Sequence, residues 1–189
     1  MGMLLAGDLG RSALGNPADE AVARRLLGNA WNPRAAARAY DGVLVTRHAM
    51  SRRGEWTWTA GTASLAGMLF SDASLRVRAP HAAVDVYPDD ALLLLPDRET
   101  TVVAPRGAII VALWIPWSDL AASGPQFPGI ALPGTSLTAG VRAFIGSLVE
   151  QKPVGNPPAD PFISRVATRM VRAVLHEATS PQFPTADRM

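Results

Sequence analysis

Cysteine is missing from all 189 residues, which excludes a disulfide framework, thiolate zinc sites, iron–sulfur clusters and a cysteine nucleophile. A chain without thiols is typical of a reducing compartment, and we expect a cytoplasmic protein. The first residues, MGMLLA, include no basic residue, and the apolar run ends at Asp8, unlike a secretory signal. No apolar run approaches the ~20 residues that a membrane-spanning helix needs, so we expect no membrane partner.

Excess charge of either sign is also scarce. The 18 basic and 16 acidic residues leave a formal net charge of +2, and no basic tail or stripe is present. Charge alone therefore does not indicate nucleic-acid binding. The Gly-x-Ser-x-Gly elbow, the Gly-x-Gly-x-x-Gly turn and the phosphate-binding P-loop are absent too, and so is a His-x-His pair. We predict no enzyme activity, no cofactor and no resident metal.

What the chain does contain is material for a core and for many turns. Hydrophobic residues make up 48%, with 16 glycines and 16 prolines. From Gly42 to about Pro116, seven or eight short strand-like runs alternate with turn residues at intervals of 8–12 residues. No long helical period interrupts them. This spacing is typical of an antiparallel sandwich or barrel, and a parallel βαβ sheet is not expected.

Helical patterns flank the strands on both sides. A start signal at Asn16-Pro17 predicts a helix that ends near Gly28, and the alanine-rich 34–40 predicts another. After Pro116, one helical turn is predicted at 117–122. A longer helix follows from Thr135 or Ser136, and a second begins at Asp160-Pro161. These last two helices should pair in antiparallel fashion.

Three segments carry a family resemblance. Val84 to Pro96 (VDVYPDDALLLLP) looks like the strand–turn–strand of cupin sensor domains, with Asp89 where those have glycine. Because glycine tolerates a positive φ, Asp89 should hold a strained backbone. Ala108 to Leu120 resembles the closing strand of the same family, and Leu132-Pro133-Gly134 fits the entry to its first helix. Together, residues 41–178 resemble the N-terminal effector-binding and dimerisation domain of AraC-type transcription regulators.

The resemblance implies a mainly β fold with C-terminal helices. It divides the chain into an N-terminal helical arm (1–40), a cupin-like double-stranded β-helix or jelly-roll barrel (41–122), a two-helix dimerisation segment (123–178) and a linker or cut end (179–189). It also implies a small-molecule effector and a homodimer. DNA would be bound only through a helix-turn-helix domain that is not present in this chain.

The tryptophans are the leading candidates for effector contacts. Trp56 and Trp58 alternate along one strand and share a face, and Trp114 lies in the closing strand. In a small barrel such rings either line an apolar pocket or fill the core. Arg76 and Arg78 would suit an anionic ligand if their face points inward, and are solvated otherwise. His81 completes the set of candidate ligand-binding residues.

The two C-terminal helices each carry an apolar stripe. Such a stripe covers the barrel, and in the family that this chain resembles a helix pair of this kind also forms the dimer contact. The expected dimerisation residues are Leu137, Val141, Phe144, Ile145, Leu148, Ile163, Val166, Met170 and Val174.

Two alternative functions remain open from sequence. One is a metal-dependent cupin enzyme, in which His48 and His81 meet across the barrel and Glu55 or Asp85 joins them. The other is a stand-alone interaction module whose barrel is filled by its own side chains.

Overall fold

A computed structural model of the protein describes residues 17–30, 32, 35–59, 64–80, 82–121, 131–150 and 161–180. These residues form two antiparallel sheets and four α-helices. The strands are β1 (Ala36–Tyr40), β2 (Val43–Met50), β3 (Gly54–Trp58), β4 (Leu65–Ser71), β5 (Leu75–Ala79), β6 (Ala82–Val86), β7 (Ala91–Leu94), β8 (Thr100–Ala104), β9 (Ala108–Pro116) and β10 (Ala131–Leu132). The helices are α1 (Pro17–Leu27), which continues into a 3-10 turn (Gly28–Ala30), α2 (Trp117–Ala121), α3 (Ser136–Glu150) and α4 (Pro161–Thr179).

The two sheets stack as a jelly-roll sandwich. The larger sheet has the order β1-β2-β9-β4-β7-β10 and the smaller one the order β3-β8-β5-β6. The mainly β, cupin-like fold class predicted from sequence is therefore confirmed. In detail, the described strands make two separate sheets that face each other, in place of one continuous closed barrel.

The larger sheet is buried on both faces because its strands alternate between two hydrophobic layers. Along β9, Ile110, Ala112 and Trp114 face the smaller sheet, whereas Leu113 and Ile115 face the helices. All five are at most 1% exposed. Burial on both faces explains why the second half of β9, from Ala112 to Ile115, is entirely apolar.

The smaller sheet is buried on one face only. Trp56 and Trp58 point inward along β3, while Glu55 and Thr57 between them are exposed. This strict alternation is the pattern of a sheet that covers a core on one side and meets water on the other. The smaller sheet thus forms the outer wall of the sandwich.

The helix pair α3 and α4 covers the outer face of the larger sheet, as predicted. Just before α3, Thr135 donates a hydrogen bond of 2.8 Å through its hydroxyl to Glu177 Oε2 near the end of α4, so the two helices run antiparallel. Arg142 Nη1 donates to the carbonyl of Pro88, which fixes α3 to the β6–β7 turn. Within the described residues, no helix is both long and apolar enough to cross a bilayer.

The β6–β7 turn is held by a carboxylate. Asp90 accepts hydrogen bonds from the backbone N–H of Tyr87 at 3.1 Å and from that of Gly134 at 3.0 Å. The prediction of a strained backbone at Asp89 is wrong, because Asp89 does not have a positive φ. Among the described non-glycine residues, only Asp41 and Arg53 do. Asp89 fits because the neighbouring carboxylate, and not a left-handed residue, closes the turn.

The prediction of a helix over 34–40 is also wrong, since Ala36–Tyr40 forms strand β1. β1 pairs with β2 along its whole length, from Ala36↔Arg47 to Tyr40↔Val43. Asp41 and Gly42 between the two strands have φ values of 35° and 90°. Asp-Gly is a preferred pair for a two-residue hairpin, which requires such backbone angles. The hairpin and its ladder outweigh the helix propensity of alanine.

Helix α1 packs against the edge of the larger sheet. Asp19 Oδ2 accepts a 2.9 Å hydrogen bond from the backbone N–H of Ala39 in β1. Ala23, Leu27 and Ala30 are buried in the layer between the two sheets. The 3-10 turn contacts both β2 and β3, which belong to different sheets. Residues 17–30 therefore close the sandwich along one side.

Candidate functional site

Three tryptophans and one histidine meet in the middle of the sandwich. Trp58 and Trp114 stack with ring centroids 5.3 Å apart, although they come from opposite sheets. Trp56 lies edge-on to both, at 6.4 Å from Trp58 and 6.2 Å from Trp114. His48 adds a further edge contact, 6.1 Å from Trp56. We refer to these four residues as the aromatic cluster.

Two of the indole N–H groups are hydrogen-bonded inside the protein. Trp114 Nε1 donates to Thr46 Oγ1 on the neighbouring strand β2 at 2.9 Å. Trp58 Nε1 donates across the sandwich to the carbonyl of Leu95, at 2.8 Å. A buried indole usually finds such a partner, because an unpaired N–H loses its hydration without compensation. These bonds fix both rings in place.

A glycine provides the space for the indole of Trp114. Gly67 on β4 lies opposite Trp114 in the β4–β9 ladder. A Cβ atom at residue 67 would lie 2.6 Å from Trp114 Cζ3 and 2.8 Å from Cε3. These distances are well inside van der Waals contact, so a side chain at residue 67 would displace the indole. Gly67 and Trp114 are therefore matched in size.

His48 is the unusual member of the cluster. It is 1% exposed, and neither ring nitrogen has a hydrogen-bond partner among the described residues. Burial lowers the pKa of His48 from 6.5 to about 4, because the charged imidazolium loses its hydration. At neutral pH the cluster therefore contains an uncharged imidazole with one donor and one acceptor to spare.

The sequence-predicted ligand residues fall into two groups. Trp56, Trp58 and Trp114 come together as predicted. Arg76 and Arg78 do not join them: both are exposed on the outer face of the smaller sheet, and Arg76 Nε lies 3.2 Å from Asp85 Oδ1. Of the two orientations that the sequence left open, the structure has the outward one, because Leu75 and Val77 occupy the inner face of β5. Arg76 and Arg78 are therefore not ligand-binding residues of the aromatic cluster. His81 lies outside the described residues.

The role of His48 as a neighbour of the tryptophans was missed from sequence, although a signal was available. Leu44, Thr46, His48 and Met50 alternate along β2 and all face the smaller sheet. This alternation over eight residues would have placed the imidazole on the inner face of the strand.

The metal-enzyme alternative pairs His48 with His81, which lies outside the described residues, and the other described candidates do not approach His48. Glu55 and Asp85 are exposed on the outer face of the smaller sheet, whereas His48 faces inward. Within the described part of the chain, no three His, Cys, Asp or Glu side chains converge as metal ligands. An imidazole whose described neighbours are aromatic rings does not match the mixed nitrogen and oxygen donors of such a site.

The aromatic cluster is closed to solvent in this structure. Trp56, Trp58, Trp114 and His48 are each at most 2% exposed, so almost none of their surface is accessible to water. The cluster can offer a guest apolar ring faces and a neutral imidazole. A guest would have to displace one of the rings or the residues that close the sandwich.

The predicted dimerisation residues divide by burial. Val141, Ile145, Leu148 and Val174 are at most 3% exposed, because they pack against the larger sheet of their own chain. They have no surface to offer a second copy. Leu137, Phe144, Ile163, Val166 and Met170 are only partly buried. For these five, a dimer contact stays a prediction.

The fold is similar to that of a solved transcription regulator. The AraC-like transcriptional activator CuxR matches with a TM-score of 0.63 and 16% identity, over 90% of this chain and 67% of that chain. ToxT from Vibrio cholerae matches with a TM-score of 0.49 and 11% identity, over 78% of this chain and 59% of that chain. An RmlC-like cupin from Shewanella frigidimarina matches with a TM-score of 0.38 and 10% identity, over 43% of this chain and 74% of that chain. No protein-family model and no curated relative matches the sequence. The match to CuxR confirms the fold expected from the resemblance.

Proposed function

We propose that this chain is the sensing domain of a transcription regulator of the AraC type and has no enzyme activity. The observation that carries the proposal is the shared architecture of sandwich plus helix pair, which matches an AraC-like activator over 90% of the chain. A DNA-binding segment outside these 189 residues would provide the output. The sensing domain would control it through the helices that cover the larger sheet.

The effector in this proposal is a small, largely apolar molecule that carries one hydrogen-bonding group. Three indole rings favour flat apolar surfaces, and the unpartnered imidazole of His48 favours one donor or acceptor on the guest. An unpaired buried polar group costs about 1–3 kcal/mol. A guest that hydrogen-bonds to His48 would recover part of that free energy.

Residues 17–30 provide the movable element in this mechanism. They close one side of the sandwich and contact strands from both sheets. Asn29 Nδ2 donates to the carbonyl of Glu55 at 3.5 Å, a long hydrogen bond at an exposed position. Opening would also expose Ala23 and Leu27, which are buried between the sheets, so the effector would have to offset that cost. The effector would shift the population between closed and open forms, provided that its affinity for the two differs.

The effector proposal is tested by a ligand screen on the chain itself. We expect that some small aromatic or aliphatic alcohols, acids or amides, at millimolar concentration, raise its melting temperature and change its tryptophan emission. The shift should disappear in His48→Leu and Trp56→Leu and persist in Tyr87→Ala, because Tyr87 is 49% exposed and lies outside the cluster. If no compound in the panel stabilises the protein, the sensing role is contradicted.

The closed state of the cluster favours a second candidate function, an interaction module with a filled interior. The four side chains of the cluster are at most 2% exposed, so a guest could contact them only after a rearrangement. The same screen separates the two functions. A sensor gives at least one stabiliser whose effect depends on His48, whereas a filled module gives none.

Homodimerisation through α3 and α4 is the other part of the proposal. We expect the chain to be a dimer at tens of micromolar in sedimentation velocity, and Val166→Glu to weaken it by about tenfold or more, since a carboxylate buried without a partner is costly in an interface. Val166 is one of the five partly buried stripe residues. Ala83→Glu, on the exposed face of β6, is the control. A monomeric wild type would refute this part.

A further inference from the structure

A cleft on the opposite side of the larger sheet from the aromatic cluster carries a concentration of arginine. It has a volume of about 210 Å³ and lies between the first half of α4, helix α2 and the β1–β2 turn. Arg165, Arg169 and Arg172 line it, together with the hydroxyl residues Ser164 and Thr168. The proposed effector site does not include any of these residues.

The three arginines are arranged to act together. Their spacing of four and three residues along α4 places them on one face of the helix. All three are exposed, and among the described residues no carboxylate oxygen lies within 4 Å of their side-chain nitrogens. Arg172 donates through Nε (2.9 Å) and Nη2 to the carbonyl of Asp119 in α2, which orients its guanidinium. Three cations therefore face one cleft, and none of them is in an ion pair with a described carboxylate.

We propose that this cleft binds a small phosphorylated metabolite. Guanidinium groups present paired N–H donors that match the oxygens of a phosphate, and several of them around one anion add charge to that geometry. A cleft of about 210 Å³ admits a diphosphate or a phosphate with a small organic group. A nucleic-acid strand would instead need an extended basic track.

Two carboxylates in the same cleft indicate what kind of group the ligand carries besides its phosphate. Asp41 and Asp119 lie on the wall formed by the β1–β2 turn and α2. A second anionic group on this wall would be repelled, whereas ligand hydroxyl or amino groups would find acceptors there. The ligand class is therefore a phosphate attached to a part rich in hydrogen-bond donors, as in a sugar phosphate.

The first test is titration calorimetry of the chain with inorganic pyrophosphate, at constant ionic strength in chloride buffer. We expect saturable binding with a dissociation constant in the millimolar range or tighter, and at least a tenfold loss in the double variant R165Q/R169Q. R76Q/R78Q is the matched control, because it removes the same charge from two exposed arginines on the smaller sheet. Thermal melts of both variants check that the fold is retained.

Three outcomes would overturn the proposal. One is no measurable pyrophosphate binding, and another is an equal loss in both double variants, which would indicate charge without a site. The third is tighter, competing binding of a short DNA duplex through the same arginines, which would assign the face to nucleic acid. If pyrophosphate does bind, Arg169→Lys should weaken it less than Arg169→Gln, because lysine keeps the charge but not the paired donors.

Discussion

Trp114→Ala should destabilise the protein by about 3–5 kcal/mol, the range for removing a large aromatic side chain from a packed core. The indole is fully buried, stacks on Trp58 across the sandwich and donates to Thr46. Alanine would leave a cavity between the sheets and a buried hydroxyl without its donor. The measurement is the free energy of unfolding from urea denaturation, monitored by far-UV circular dichroism.

Two further variants keep this prediction testable if Trp114→Ala does not fold. Trp114→Phe keeps a ring but loses the N–H to Thr46, and we expect an intermediate loss of about 1–3 kcal/mol. Tyr87→Ala is the control, since it removes an aromatic side chain that is 49% exposed and should cost far less. Equal losses for Trp114→Phe and Tyr87→Ala would contradict the role assigned to the aromatic cluster.

The protein should lose stability as the pH falls through the range from 6.5 to about 4, because of His48. Its pKa is lower in the folded state, so the unfolded chain binds the proton first, and each step down in pH favours unfolding. A shift of this size corresponds to about 3 kcal/mol once the pH is below the folded pKa, and to about 2 kcal/mol at about pH 5. Urea denaturation at about pH 7.5 and pH 5 measures the difference.

His48→Leu isolates this contribution from that of the carboxylates. The variant should lose about 2 kcal/mol less than the wild type between those two pH values, because it has no imidazole to protonate inside the sandwich. His176→Leu is the matched control, since His176 is exposed on α4. If His48→Leu and the wild type lose the same amount, His48 is solvated or hydrogen-bonded in solution, and its assigned environment is wrong.

Much of the fold could be predicted from the sequence because its local signals and its tertiary structure agree. Leu75 to Ala79 alternates strictly between apolar residues and arginine, and this stretch forms strand β5. α3 and α4 begin at the predicted signals, where Ser136 follows Thr135 and Pro161 follows Asp160. In these elements one face is buried and the period of the pattern reports that face directly.

β1 could not be predicted because its strand state depends on a partner. Ala36–Tyr40 has the composition of a helix, and only the ladder to β2 makes it a strand. The orientation of Arg76 and Arg78 was open for a related reason: alternation shows that two residues share a face, but not which face is buried. The arginine cleft combines α2, α4 and the β1–β2 turn, and nothing in the linear sequence connects those three segments.

The double-sided burial of the larger sheet has a consequence for communication within the molecule. Trp114 faces the aromatic cluster, while its neighbours Leu113 and Ile115 face the helices, and planar peptide bonds join the three residues. In the proposed sensing function, a tilt of β9 that makes room for a guest would therefore also move the surface against which α3 and α4 pack. β9 alone would then link the aromatic cluster to the helices, without a pathway through loops.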